Sequence, residues 1–125
     1  MAREVHGSPS WRENVEAQNF PAAESYLGLI WPPKEVKRLV AALKAAKPSQ
    51  FKAKDIFRAS RLSLLGVSNH HVEKDRLRIR QGIALSPILL VRDEANARVV
   101  IADGYHRLCA VYGFDEDALV PCRIV

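Results

Sequence analysis

The residues best able to do chemistry stand together in Ala102-Asp103-Gly104-Tyr105-His106-Arg107. Their types and order suit the binding of an anion, above all a nucleotide phosphate. Gly104 permits a close backbone approach or a positive φ angle, as a tight strand-to-helix turn requires. Asp103 is a good helix N-cap, able to accept from an amide two or three residues on. First-turn amides have no intrahelical partner and lie at the positive end of the helix dipole. That end attracts an anion by about 0.3–1 kcal/mol, and by up to ~2 kcal/mol where it is partly buried. His106 and Arg107 bring mobile donors to the same place, and arginine can grip phosphate through two parallel hydrogen bonds. Helices ordinarily favour Asp or Glu in the first turn, because cations there oppose the dipole. Two cation-forming residues at this position therefore argue for phosphate binding over a plain αβ connection with solvent-facing side chains.

Other chemistry-bearing residues are less decisive. His71, Lys74 and Arg78 stand at i, i+3 and i+7, one stripe of a helix. That stripe could clasp phosphates or a nucleic-acid backbone, or be ordinary surface charge. Adjacent His70 and His71 diverge on a helix and have no nearby carboxylate pair, so they do not make a metal site. Ser86 before Pro87 either opens a strand or contacts phosphate. Cys109 and Cys122 belong to no CxxC pair, which argues against zinc. Buried thiols are expected rather than a disulfide.

The elements that must position these residues follow from periodicity. Residues 1–19 are polar and without period, and read as an extended or disordered, flexible arm. Ala23, Tyr26, Leu27 and Ile30 form the apolar stripe of a short helix, with Pro21 in its first turn. Val36, Leu39, Val40 and Leu43 repeat that spacing in a second helix, with Lys34, Lys37, Arg38 and Lys44 on its wet face and Pro48 ending it. A third helix is expected from Ala53 to Leu65, with Ile56, Phe57, Ser60 and Leu64 on one side and Gly66 as its stop. Gly66 to Asn69 reads as a loop. A fourth helix runs from His71 to Gln81, with Val72, Ile79 and Ile83 inward and Gly82 closing it. Pro87-Ile88-Leu89-Leu90-Val91 is a continuous apolar run, as a strand buried on both faces requires. Residues 93–97 make a hairpin-length connection, and Arg98 to Ala102 is a second, β-branched strand. A fifth helix follows, with Tyr105, Leu108, Cys109 and Tyr112 on one face before Gly113. Leu119 to Val125 closes the order as a strand.

The whole reads as an α/β (α+β) domain, a small mixed sheet with packed helices preceded by an N-terminal helical pair. Residues 20–125 form one domain, with 20–50 as a helical extension and 51–125 as the core. At 125 residues, 48% apolar and 26% charged, the composition is that of an ordinary globular domain. No apolar run approaches a membrane span and the N-terminus has no signal-like apolar region, so a soluble, cytoplasmic protein is expected. The net charge of +5 is unevenly placed. Residues 51–82 carry 8 basic and 3 acidic side chains, and residues 83–125 carry 4 and 6. The basic middle could attract nucleic acid or polyphosphate, or be a solvated helix surface.

At Gly104-Tyr105-His106-Arg107, preceded by Asp103, the chain resembles the ParB/sulfiredoxin-like superfamily. That fold sets a Gly-x-His-Arg or Gly-x-Arg-Arg motif where a strand meets a helix, and its members bind ATP, ADP or CTP through it. The stretch from Asp75-Arg76-Leu77-Arg78-Ile79-Arg80-Gln81-Gly82-Ile83 to Ser86-Pro87-Ile88-Leu89-Leu90-Val91 resembles the family's helix, glycine and Pro-Ile strand entry. The resemblance covers about residues 70–125 and leaves out the first 50. It implies that the helix carrying His71, Lys74 and Arg78 faces the nucleotide. Tyr105 stands where sulfiredoxin has its nucleophilic cysteine, so sulfinic-acid reduction is not expected, and Cys109 reads as a core thiol. The helix-turn-helix and dimerisation domain of partition ParB proteins have no counterpart before Val125, so a complete partition protein is not expected. His106-Arg107 differs from the Arg-Arg pair of the CTP-binding members. The free-serine kinases of the fold have a similar turn, but their larger catalytic apparatus has no place here.

Three functions are compatible with these residues. The first is a nucleotide-phosphate-binding domain, including a slow NTPase or phosphotransferase. Gly104, Tyr105, His106 and Arg107 would hold phosphates, His106 and Asp103 would act catalytically, and ATP or another nucleotide with Mg²⁺ would be the ligand. The second is a DNA- or RNA-binding or nuclease-like module using the basic span 52–80. The third is a regulatory module that keeps the fold without catalysis.

Overall fold

The computed structural model describes residues 8–64 and 69–125. The apolar run after Pro87 becomes a strand, β2 (Ile88–Asp93), whose successive side chains point to opposite faces. Ile88 and Leu90 enter one core cluster, Leu89 and Val91 another. Both faces of the strand are thus covered, as its unbroken apolarity requires. One turn of 3-10 helix at Glu94–Asn96 leads to β3 (Arg98–Asp103), antiparallel to β2. Asp93 clips the hairpin by accepting from Asn96 Nδ2 and Arg98 Nε, each at 3.0 Å.

Two further strands complete a mixed sheet. β4 (Leu119–Ile124) runs parallel to β2 and antiparallel to β1 (Ser49–Lys52), giving the order β1-β4-β2-β3. The last strand in sequence is therefore interior, between β1 and β2. β1 was not evident in the sequence. Ser49-Gln50-Phe51-Lys52 has no alternation because it is a largely exposed edge, held by its ladder with β4 rather than by burial.

Helices cover both sides of the sheet. α1 (Asn19–Leu27) and α2 (Pro33–Ala45) contribute Ala23, Leu27, Val36, Leu39, Val40 and Leu43 to the cluster holding Leu89, Val91, Val100 and Ala102. The N-terminal pair is thus one layer of the domain, sharing a core with the sheet. α3 (Ala53–Ser60), α4 (His70–Arg80) and α5 (Tyr105–Phe114) pack on the opposite face.

Several boundaries differ from the periodic reading. α1 ends at Leu27, so Ile30 lies beyond it and Tyr26 faces solvent. α3 ends at Ser60, where Arg61 adopts a left-handed conformation with φ 59, and Leu64 is half exposed. The stop expected at Gly66 falls outside the described residues. α4 ends at Arg80, and Gly82 turns the chain with φ 74, so Ile83 is exposed and Leu85 fills the core instead. α5 runs through Gly113 to Phe114.

From Ser10 the N-terminal arm is docked on the domain, with bends at residues 13–14 and a turn at 17–18. Leu85 N–H donates to the Ser10 carbonyl and Arg12 N–H to the Leu85 carbonyl, each at 2.8 Å. Ser86 Oγ accepts from Glu16 N–H at 3.0 Å and donates to Asn19 Oδ1 at 2.5 Å. That hydroxyl thus fastens the arm to the entry of β2. Both cysteines are buried thiols with no disulfide, and burial pushes Cys122 up to about 11.

Candidate functional site

The turn between β3 and α5 is built around Gly104. Its φ of 111 is one that L side chains rarely adopt. A Cβ there would also stand 2.9 Å from Ile88 Cγ1 and 2.9 Å from Arg107 Nη2. Glycine is required both for the backbone conformation and for the close packing of β2 against the turn.

Asp103 does not cap the helix. α5 starts at Tyr105, so Gly104 occupies the cap position and no side chain bonds the first-turn amides. Asp103 is one residue too early, still in strand geometry, and its carboxylate faces Arg107 Nη2 at 3.4 Å. The first bond of the helix runs from Leu108 N–H to the Gly104 carbonyl at 2.9 Å. The amides of Tyr105, His106 and Arg107 precede it and have no intrahelical or capping partner among the described residues.

Arg107 is held in place from two sides. Besides Asp103, its Nη2 donates to the Pro87 carbonyl at 3.3 Å. Its side chain is 14% exposed, and Nε is buried with no hydrogen-bond partner among the described residues. A buried donor left unpaired costs about 1–3 kcal/mol.

α4 supplies the opposite wall. His71, Lys74 and Arg78 line the same cavity of about 200 Å³ as Asp103, Gly104, Tyr105, His106 and Arg107. The His71 and His106 rings lie 4.8 Å apart. All eight residues singled out in the sequence thus meet around one space, although 25 positions separate Arg78 from Asp103. A ninth, Asp75, was missed. It is 6% exposed, and its Oδ1 accepts from Arg78 Nη1 at 3.3 Å. The signal was present: Val72, Asp75 and Ile79 are the three buried positions of α4, at i, i+3 and i+7. An aspartate in an inward stripe is a buried charge by periodicity alone.

The electrostatics follow from burial. Burial raises the Asp75 carboxyl, against the opposing pull of Arg78, Arg107, His106 and Lys74. Burial likewise raises Asp103, against Arg107. His106 is lowered, first by burial and then by the nearby His71, with Asp75 opposing. In Asp75, Asp103 and His106 alike, burial favours the neutral form. Tyr105 braces its rim by donating its hydroxyl to the Ser63 carbonyl.

Outside the cleft, five cations of the basic span 52–80 share three carboxylates. Lys52 and Lys54 face Asp117, Arg58 faces Asp55, and Arg76 and Arg80 face Glu73. The Arg76 guanidinium also lies 4.8 Å over the Phe114 ring. Among the described residues no group of three or more His, Cys, Asp or Glu side chains could hold a metal ion. Within them, no helix is long and apolar enough to cross a membrane. No protein-family model, curated protein or solved structure matches the chain.

Proposed function

We propose that this chain is a nucleotide-phosphate-binding domain of the ParB/sulfiredoxin-like kind. The observation that carries the proposal is the convergence of α4 and the β3–α5 turn on one cleft where Arg107 keeps a buried, unpaired Nε. Phosphate oxygens would accept from the Tyr105 and His106 amides and from Arg107, while Lys74 and Arg78 neutralise charge from the facing helix. Among the described residues, Mg²⁺ has only Asp75 and Asp103 as carboxylates in this cleft, each already facing an arginine. These residues do not fit a resident ion, so Mg²⁺ would enter with the nucleotide rather than precede it.

Phosphoryl transfer asks mainly for positioning and charge neutralisation, so NTPase or phosphotransferase activity is an extension of the same site. His106, neutral near pH 7, and Asp103 are the groups able to orient a water or an acceptor. Nucleic-acid binding is the alternative reading, resting on the net positive charge that the shared ion pairs leave on the basic span.

The test is calorimetric titration with ATP, ADP, CTP and GTP, with and without Mg²⁺, on the wild type and on Arg107→Ala and His106→Ala. Saturable 1:1 binding that is lost in both folded variants supports the proposal. Absence of binding by every nucleotide to the folded wild type overturns it, and salt-dependent DNA and RNA binding then becomes the account to test.

A further inference from the structure

The phosphate cleft opens into a second space. A cavity of about 440 Å³ is lined by Ala22 and Tyr26 of α1, by Leu62, and by the chain from Ile101 to His106. Four residues, Asp103, Gly104, Tyr105 and His106, line both cavities. Ile101 belongs to the core cluster on one face of the sheet and Ala102 to the cluster on the other. A single cavity touching both residues therefore runs along the edge of β3, between the two helical layers. β3 is an outermost strand of the sheet, so this edge presents backbone donors and acceptors that no neighbouring strand pairs. Tyr26 and Leu62 approach from opposite layers, and each is 43% exposed.

The geometry points to this slot as the nucleoside site, holding the base and sugar of a nucleotide whose phosphates lie in the cleft. The inference rests on the phosphate reading above. A base is flat, with apolar faces and a polar rim. Its faces would lie against Tyr26 and Leu62, and its rim would meet the β3 backbone. The volume falls within the range of roughly 300–1,000 Å³ usual for small-molecule sites. An extended peptide could also add to a free strand edge. Continuity with the phosphate cleft favours the nucleoside.

The experiment compares ATP, adenosine and inorganic tripolyphosphate by calorimetry on the full chain. The variants are Tyr26→Ala, Leu62→Glu and Arg107→Ala, each checked for folding by circular dichroism. ATP should bind more tightly than tripolyphosphate, and adenosine should compete with ATP. Tyr26→Ala should reduce the ratio of ATP to tripolyphosphate affinity by about tenfold, the size of one lost base–aromatic stack. Leu62→Glu should reduce the same ratio, so the result does not hang on one variant. Arg107→Ala should weaken both ligands. Equal affinity for ATP and tripolyphosphate, with a ratio unmoved by either slot variant, would overturn the nucleoside site and leave the phosphate site standing. Failure of both ligands to bind would overturn the two together.

Discussion

α2 and α4 are both short helices packed on the sheet domain, yet they bury different things. α2 buries Val36, Leu39, Val40 and Leu43, with its charges on the outside. α4 buries Val72 and Ile79 with Asp75 between them, and turns His71, Lys74 and Arg78 towards a cavity. The first arrangement gains stability from every inward residue. The second gives some up, since a buried carboxylate must be desolvated and is only partly repaid by its arginines. A polar residue kept at such cost marks the side of the molecule where binding is to be sought. Substitutions in the two helices should therefore have opposite consequences.

The largest effect is expected on the apolar side. Leu43 is fully buried, and Leu43→Ala should cost about 2–5 kcal/mol in urea unfolding while nucleotide affinity of the folded fraction stays unchanged. A comparable loss of affinity would break the contrast. Gly104→Ala comes next. The positive φ and the 2.9 Å approach to Ile88 should cost about 1–3 kcal/mol and also displace the first-turn amides, so stability and phosphate affinity fall together.

Asp75→Asn sharpens the contrast by its sign. Because burial raises the Asp75 carboxyl, the folded protein favours its protonated form. The associated stabilisation is fully present below the unfolded-state value and is lost as pH rises through the folded one. At pH 7 the asparagine variant should thus be at least as stable as the wild type. As pH falls through the carboxylate range, the wild type should gain on it. Parallel pH–stability curves for the two proteins would show that Asp75 is not buried as a charge.

His106 should show a smaller effect, read in binding. Its free-state value is lowered, and a bound phosphate would raise it, so binding takes up a proton between the two values. Affinity should rise as pH falls through that window, by at most tenfold per unit for one proton, and more steeply than in His106→Gln. Identical slopes in the two proteins would remove His106 from contact with phosphate. The smallest effect concerns Cys122, which burial raises to about 11 and which should resist thiol reagents at pH 7.5 until the protein unfolds.

The sequence showed most where one residue type satisfies one requirement. Val36 to Leu43 and Ile88 to Val91 announce their burial by period and by composition, and Gly104 announces a turn that no other residue fits. The cleft was legible in its parts, since His71, Lys74, Arg78 and the turn residues were each visible. Their convergence depends on the packing of α4 against α5, which no local pattern contains. Asp103 was misjudged as a cap because capping depends on where the helix starts to within one residue. β1 escaped notice because an edge strand held by backbone bonds leaves little trace in side chains. The docking of the arm at Leu85 and Ser86 is likewise made largely of backbone bonds.

The central claim is that anions are bound at the β3–α5 turn, and amide NMR during a tripolyphosphate titration tests it most directly. The account predicts saturable, single-site shifts centred on the Tyr105 and His106 amides and the Arg107 Nε–H, absent in Arg107→Ala. Shifts spread over Lys52 to Arg80 without saturation, with the turn unmoved, would contradict it and assign the charge of this domain to a diffuse polyanion surface.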